Sequence, residues 1–205
     1  CFSNSGLKSI SIPSNVKILY NSVFQLCPDL ESITISNDVT SIDFQCFYNC
    51  TKLTTVNIPT GIKGISNYLF GYCVSLKEIS LHSGIKYIYN GAFYHCESLQ
   101  TIALPENANI SGNVFAYCIS LTEFHFSSII VEFTEGLFNS CSSLKTVNIP
   151  TSITKLGKSC LCNCTFTSIT IPNSVTIIDK LAFYNCTNLE SIVVSDSVTT
   201  IGESA

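Results

Sequence analysis

Residues 50–72 read CTKLTTVNIPTGIKGISNYLFGY, and this stretch decides the fold. Its recurrent apolar positions are Cys50, Leu53, Val56, Ile58, Ile62, Ile65 and Phe70, and Cys73 opens the next copy. Val56-Asn57-Ile58 has the period of two that sends alternate side chains to opposite faces of a strand. Pro59 then ends the strand, because proline has no N–H to give to a ladder. The Ile62 to Ile65 spacing carries the chain around the next side. The stretch before each Cys predicts a short turn or helical coil holding a buried Phe. So few apolar positions per unit cannot close a core alone, and the unit must stack on copies of itself.

The copies are there. Cysteines recur at Cys27, Cys50, Cys73, Cys96, Cys118, Cys141, Cys164 and Cys186, in steps of 22 or 23. Three residues ahead of each stands an aromatic or apolar partner: Phe24, Phe47, Phe70, Phe93, Phe115, Phe138, Leu161 and Phe183, with Phe2 as the first of the series. A third series reads Ile12, Ile35, Ile58, Leu81, Leu104, Phe126, Ile149, Ile171 and Val194. Two copies slip without losing phase. Phe166 fills the leucine slot one residue early, and Ile110 follows a shortened loop at 105–109.

A period of 20–29 residues with such a strand and a downstream Cys or Asn slot is the leucine-rich-repeat signature. With I-x-I-P, V-x-x-I and A-F-x-x-C, this chain resembles the BspA-type leucine-rich repeat over essentially its whole length. Residues 74–96, VSLKEISLHSGIKYIYNGAFYHC, and 165–186, TFTSITIPNSVTIIDKLAFYNC, carry the resemblance most fully. The fold it implies is an α/β-type leucine-rich-repeat solenoid, right-handed and strand-rich. It would have about nine repeats of 22–23 residues, one parallel strand per repeat and short coil or 3₁₀ returns. Residues 1–205 would form one domain with no internal linker, and nine strands predict a ribbon roughly 40 Å long. Repeats 1 to 9 begin at Cys1, Val23, Cys46, Leu69, Ala92, Val114, Leu137, Cys160 and Ala182. The pattern starts and stops in mid-unit without capping units, and the chain has no Met. The expectation is a section of a longer array, since solenoids need caps at their ends.

Composition excludes several functions. All ten basic residues are Lys, against fourteen acids, for a net charge of −4. That leaves no footprint for nucleic acid. Charged residues are only 12% and apolar ones 46%. Such a chain is too apolar and too weakly charged to be disordered. No apolar run is long enough to span a bilayer, so no membrane insertion is expected in this segment, and no signal peptide is visible.

Twelve cysteines would suggest a disulfide framework. Eight of them occupy one repeat slot, however, and read as a ladder of buried thiols. Cys1, Cys46 and Cys160 stand in a slot usually held by Ala. Cys162 alone is out of phase, and C-x-C-x-C without a second ligand pair is a poor metal signal, so no metal or other cofactor is expected. His82, His95 and His125 have no ligand or catalytic partner at a useful spacing. His95 beside Cys96 is a poor dyad, since adjacent side chains point apart. No hydrolase, zincin or phosphate-loop motif occurs, and the chain is not read as an enzyme.

What remains is the outward face of the strands. One column reads Ser11, Thr34, Asn57, Ser80, Ala103, His125, Asn148, Thr170, Val193. Its neighbour reads Ser9, Ser32, Thr55, Glu78, Thr101, Glu123, Thr146, Ser168, Ser191. These hydroxyls and amides either simply solvate an exposed sheet or bind a partner, as solenoid faces do. They are too irregular to match an ice or crystalline carbohydrate lattice. The family resemblance implies adhesion to host or extracellular-matrix proteins, or to other cells, from a cell-surface or secreted location. The alternative is an intracellular, cytoplasmic scaffold array. Sequons at Asn49, Asn109, Asn163 and Asn185 are candidate glycosylation sites, three of them from the repeated N-C-T.

Overall fold

Each repeat folds as one coil of a parallel β-solenoid, and nine motif copies delimit eight complete coils. The computed structural model describes residues 1–126 and 129–205, with the backbone alone of His125. The I-x-I segments build a first ladder. Ser9–Ile12 pairs in parallel with Ser32–Ile35, which pairs with Thr55–Val56. Thr101–Ala103 pairs with Glu123–His125, and Ser168–Thr170 with Ser191–Val193. Partners sit one repeat apart, as in Ile10↔Ile33 and Ile33↔Val56. Ile33 and Ile35 are buried while Ser32 and Thr34 are exposed, the alternation that the sequence prescribes.

A second ladder runs where the V-x-x-I step lies. Its segments are two residues long, such as Ser41–Ile42, Gly64–Ile65, Tyr87–Ile88, Lys155–Leu156 and Ile177–Ile178. Most coils therefore contribute two strands, not one. Between them, P-x-x-V closes a β-turn. The N–H of Ile62 donates to Pro59 O at 3.0 Å, and that of Val175 to Pro172 O at 3.0 Å. Where Ser replaces Pro, the ladder gains a bond, since Ser36 N donates to Ile12 O at 3.2 Å.

The returns are short turns of coil, one of the two forms expected. No α or 3₁₀ helix occurs among the described residues. Two residues per return take the left-handed conformation instead, two before and two after the Phe. Around Phe47 they are Gln45 (φ 55) and Asn49 (φ 60); around Phe93 they are Gly91 (φ 62) and His95 (φ 57). Single left-handed residues interrupt the right-handed sense, so helix cannot propagate. Every second N–H then points along the stack: Gln45, Phe47 and Asn49 donate to Asn67, Leu69 and Gly71 of the next coil at 2.7–3.1 Å.

The core is a set of side-chain columns. From Phe2 to Phe138, seven rings stack with centroids 5.4–6.0 Å apart and planes within 11°. Burying each ring from Phe24 to Phe138 is worth about 2–3 kcal/mol, with about 0.5–1.5 kcal/mol more from each ring pair. The column lapses at Leu161, beyond which Phe183 meets Phe166 edge-on at 6.5 Å.

Repeat 6 departs from this order. It places Phe124, Phe126 and Phe133 where neighbouring repeats carry Ile, Leu or Val. These rings pack edge-on against Phe138, with Phe124 at 4.8 Å and Phe133 at 5.9 Å. The coil keeps one ladder to each neighbour, the first to repeat 5 and the second to repeat 7, and loses the other. The second ladder breaks between Asn109–Ile110 and Glu132–Phe133, and the first between Glu123–His125 and residues 146–148.

Candidate binding faces

The first-ladder face displays the polar columns. Ser9, Ser11, Ser32, Thr34, Thr55, Asn57, Glu78, Ser80, Thr101, Glu123, Thr146, Asn148, Ser168 and Thr170 are all exposed. His125 belongs to this row by its backbone, and its side chain lies outside the described residues. The ladder is interrupted at repeats 4 and 7, whose residues 78–80 and 146–148 join neither neighbour. A cleft opens at each interruption. One, of about 700 Å³, is lined by Thr34, Thr55, Asn57, Glu78, Ser80 and His82 over an Ile floor. The other, of about 550 Å³, has Glu123, Thr146 and Asn148 above Phe124, Phe126, Phe138 and Val147.

Side chains bridge some of the lapses. Asn57 Nδ2 donates to Ile35 O at 2.7 Å, and its Oδ1 accepts from Ile35 N at 2.8 Å, so the carboxamide replaces a backbone partner. Ser66 Oγ donates to Ile42 O at 2.6 Å, and Thr134 Oγ1 to Ser111 O at 2.8 Å, at the two breaks of the second ladder. Asn57 is thus a framework residue as well as an exposed one.

The second-ladder face changes character along its length. In repeats 1 to 4 it is aromatic: Tyr20, Phe44, Tyr87 and Tyr89 are 65%, 46%, 47% and 41% exposed. Tyr87 and Tyr89 lie nearly parallel, centroids 5.9 Å apart. Gly64 makes room for them, because a Cβ there would stand 2.9 Å from Tyr89 Cε2. Two adjoining hollows, of about 350 and 220 Å³, share Tyr89 as a wall. From repeat 6 onward the same face carries ion pairs between coils: Lys158–Glu135 at 2.8 Å, Lys155–Asp179 at 3.2 Å and Lys180–Glu203 at 2.6 Å.

The eight slot cysteines line the inside of the returns. Each Sγ donates to the carbonyl of the preceding coil's Phe or Leu, from Cys27 to Phe2 at 3.0 Å through Cys186 to Leu161 at 3.1 Å. The thiol is a second donor to most of these carbonyls, since Phe47, Phe70 and Phe93 O also accept from the N–H of the Cys three residues on, at 3.0–3.2 Å. All twelve cysteines are free thiols. Burial pushes the Cys46 and Cys50 thiols up to about 12, and those of Cys73, Cys96 and Cys141 well above the ordinary range. Thiols held neutral are poor nucleophiles and poor ligands. No cluster of three metal-ligating side chains occurs among the described residues.

The histidines His82 and His95 are likewise structural. Gly84 N donates to His82 Nδ1 at 3.1 Å, so Nε2 carries the hydrogen and donates to Pro59 O at 3.0 Å. His95 is stacked between Tyr72 and Tyr117 at 4.6 and 4.2 Å, with Nδ1 3.1 Å from Glu97.

The sequon asparagines divide. Asn49, Asn163 and Asn185 all occupy the left-handed slot before Cys, where Asn is favoured over most residues. Asn163 Nδ2 donates to Asn139 Oδ1 and Ser140 Oγ at 3.3 and 3.2 Å, and Asn185 Nδ2 to Asn163 Oδ1 at 2.8 Å. The nitrogens a glycan would occupy are engaged at those two. Asn109 is exposed in a second-ladder strand.

Parallel ladders, one coil per repeat and an inward Cys slot define the chain as a leucine-rich-repeat solenoid, a class of protein-interaction scaffolds. The model of the BspA type leucine rich repeat region, in six copies, matches residues 1–118 and 108–205, and the chain belongs to that family. A leucine-rich repeat protein from Bacteroides ovatus superposes with a TM-score of 0.76 at 25% identity, over 96% of this chain and 71% of that one. One from Eubacterium ventriosum gives 0.76 at 23% identity, over 99% of this chain and 65% of that one. The leucine-rich repeat protein of Treponema pallidum gives 0.70 at 25% identity, over 77% and 76%. No curated protein matches the chain. No helix among the described residues is long and apolar enough to cross a membrane.

Proposed function

We propose that this chain is a non-enzymatic protein-binding module of a cell-surface adhesion protein, engaging host, matrix or other-cell proteins through its first-ladder face. The observation that carries the reading is the coincidence of two features on that face. The exposed hydroxyl and amide columns run its whole length, and clefts of about 700 and 550 Å³ open within them. Each cleft has a polar rim over an apolar floor, the composition of a protein-binding patch. The BspA-type repeat supports a surface role by family. The test is retention of extracellular-matrix proteins by the immobilised chain, compared with a Ser80→Lys, Glu123→Lys, Thr146→Lys variant. Binding to the parent and loss in the variant is expected. Equal retention by both, or by neither, counts against it.

The competing reading is an intracellular scaffold, favoured by twelve free thiols, which suit a reducing compartment. Protease or antibody accessibility of the protein on intact cells separates the two.

A further inference from the structure

We propose that the aromatic trough on the second-ladder face of repeats 1 to 4 is a binding site for a neutral saccharide. This goes beyond the protein-binding reading, because it lies on the other ladder and uses different residues. The trough combines two kinds of group. Tyr87 and Tyr89 offer nearly parallel, half-exposed rings, with Phe44 exposed at the far side. Asn21, Asn67 and Asp43 line the adjoining hollow around Tyr89. The side-chain amides of Asn21 and Asn67 have no hydrogen-bond partner among the described residues. Asp43 Oδ1 accepts from Ser41 Oγ at 2.8 Å, which leaves Oδ2 available.

The chemistry narrows the ligand. A purely apolar occupant would bury two unpartnered amides and a carboxylate bonded through one oxygen only, which is costly. A charged occupant finds no net field: the hollows hold one carboxylate, Asp43, and one ammonium, Lys63. The remaining class has an apolar face to lie on a ring and hydroxyls at its edge for amide and carboxylate. A pyranose has that form. The two hollows, of about 350 and 220 Å³, together fall within the range of small-ligand sites. Gly64 is the device that holds the trough open, since its missing Cβ lets the Tyr89 ring lie down against the sheet. The same face in repeats 6 to 9 is covered by Lys–acid pairs, so the aromatic stretch is bounded along the axis.

The test is calorimetric titration of the chain with maltohexaose, cellohexaose, xylohexaose and chitohexaose at millimolar concentration. At least one is expected to bind. Tyr87→Ala with Tyr89→Ala should weaken that binding more than about tenfold. Asn67→Ala, a lone exposed side chain that leaves the fold intact, should weaken it several-fold. Tyr184→Ala, an exposed tyrosine elsewhere, and the Ser80→Lys, Glu123→Lys, Thr146→Lys variant should leave it unchanged. Failure of all four saccharides to bind overturns the proposal. So does binding that survives the double tyrosine variant, or a double variant that loses a protein partner while no saccharide binds. Loss of saccharide binding in the first-ladder variant alone would place the site on the other face and also overturn it.

Discussion

Repeats 2 to 5 and repeat 6 share one motif and give different results. In the first region, Phe24, Phe47, Phe70 and Phe93 stack with planes within 10°. In repeat 6, three further phenylalanines pack edge-on against Phe138, while Phe115 and Phe138 themselves stay stacked within 11°. Strand pairing is lost on both ladders beside that repeat. The coil evidently tolerates one aromatic ring, because one ring per about 4.8 Å of stack matches the strand spacing. A second and third ring exceed it and pack edge-on beside a break in each ladder and a cleft, although repeats 2 to 4 also carry such breaks without added rings.

Alkaline pH should break both regions together, because the thiol ladder runs through each. The slot thiols from Cys50 to Cys186 are raised when folded, to about 12 at Cys50, from an ordinary 9.0. Their contribution is complete below pH 9 and is lost as pH rises from there toward 12. A thiol raised like that of Cys50 withdraws about 1 kcal/mol at pH 10. Summed over the ladder, such losses rival a typical stability of about 5–15 kcal/mol. Circular dichroism under reducing conditions should therefore show unfolding near pH 10. A fold intact at pH 11 would contradict the buried ladder.

Phe93→Ala should come next in size. Its ring is wholly buried between Phe70 and Phe115. Truncation should cost about 3–5 kcal/mol by urea denaturation. Phe126→Ala, in the half-buried cluster, should cost less than half as much; equal costs would erase the contrast between the regions. Cys96→Ala removes one of the two donors to Phe70 O, which keeps the N–H of Cys73 at 3.0 Å. It should cost about 0.5–1.5 kcal/mol, and Cys96→Ser, which keeps the second donor, should recover part of that. The smallest energetic change is expected from Phe124→Ile, Phe126→Ile and Phe133→Ile combined. Its signature is structural: slowed hydrogen exchange at residues 123–125 and 146–148 as the ladder closes, with stability altered by less than about 1.5 kcal/mol. Unchanged exchange there would mean that ring volume does not hold the coils apart.

The first ladder, the ring column and the cysteine slot are legible in the sequence because side-chain identity sets them. Ile33, Ile35, Phe47 and Cys50 are each the residue type their place demands. The second ladder is not, since its two-residue strands are too short to display a period of two. The left-handed slots are half visible. Asn49, Asn163, Gly91 and Gly136 advertise the conformation, but Leu26, Tyr68, Tyr72 and Leu181 hold it through packing and hydrogen bonds alone. The aromatic trough cannot be read along the chain, because Phe44, Tyr87 and Tyr89 meet only when repeats 2 and 4 are stacked.

The hydrogen bonds of the returns also have a mechanical meaning. They run from coil to coil along the axis, from Gln45, Phe47 and Asn49 onward. A pull along that axis loads one coil's bonds at a time, so the stack should peel at its end instead of failing as a block. Each released repeat yields roughly 75 Å of extended chain in place of about 4.8 Å of stack height. A tether made of such coils would lengthen stepwise under load while its remaining coils stayed folded.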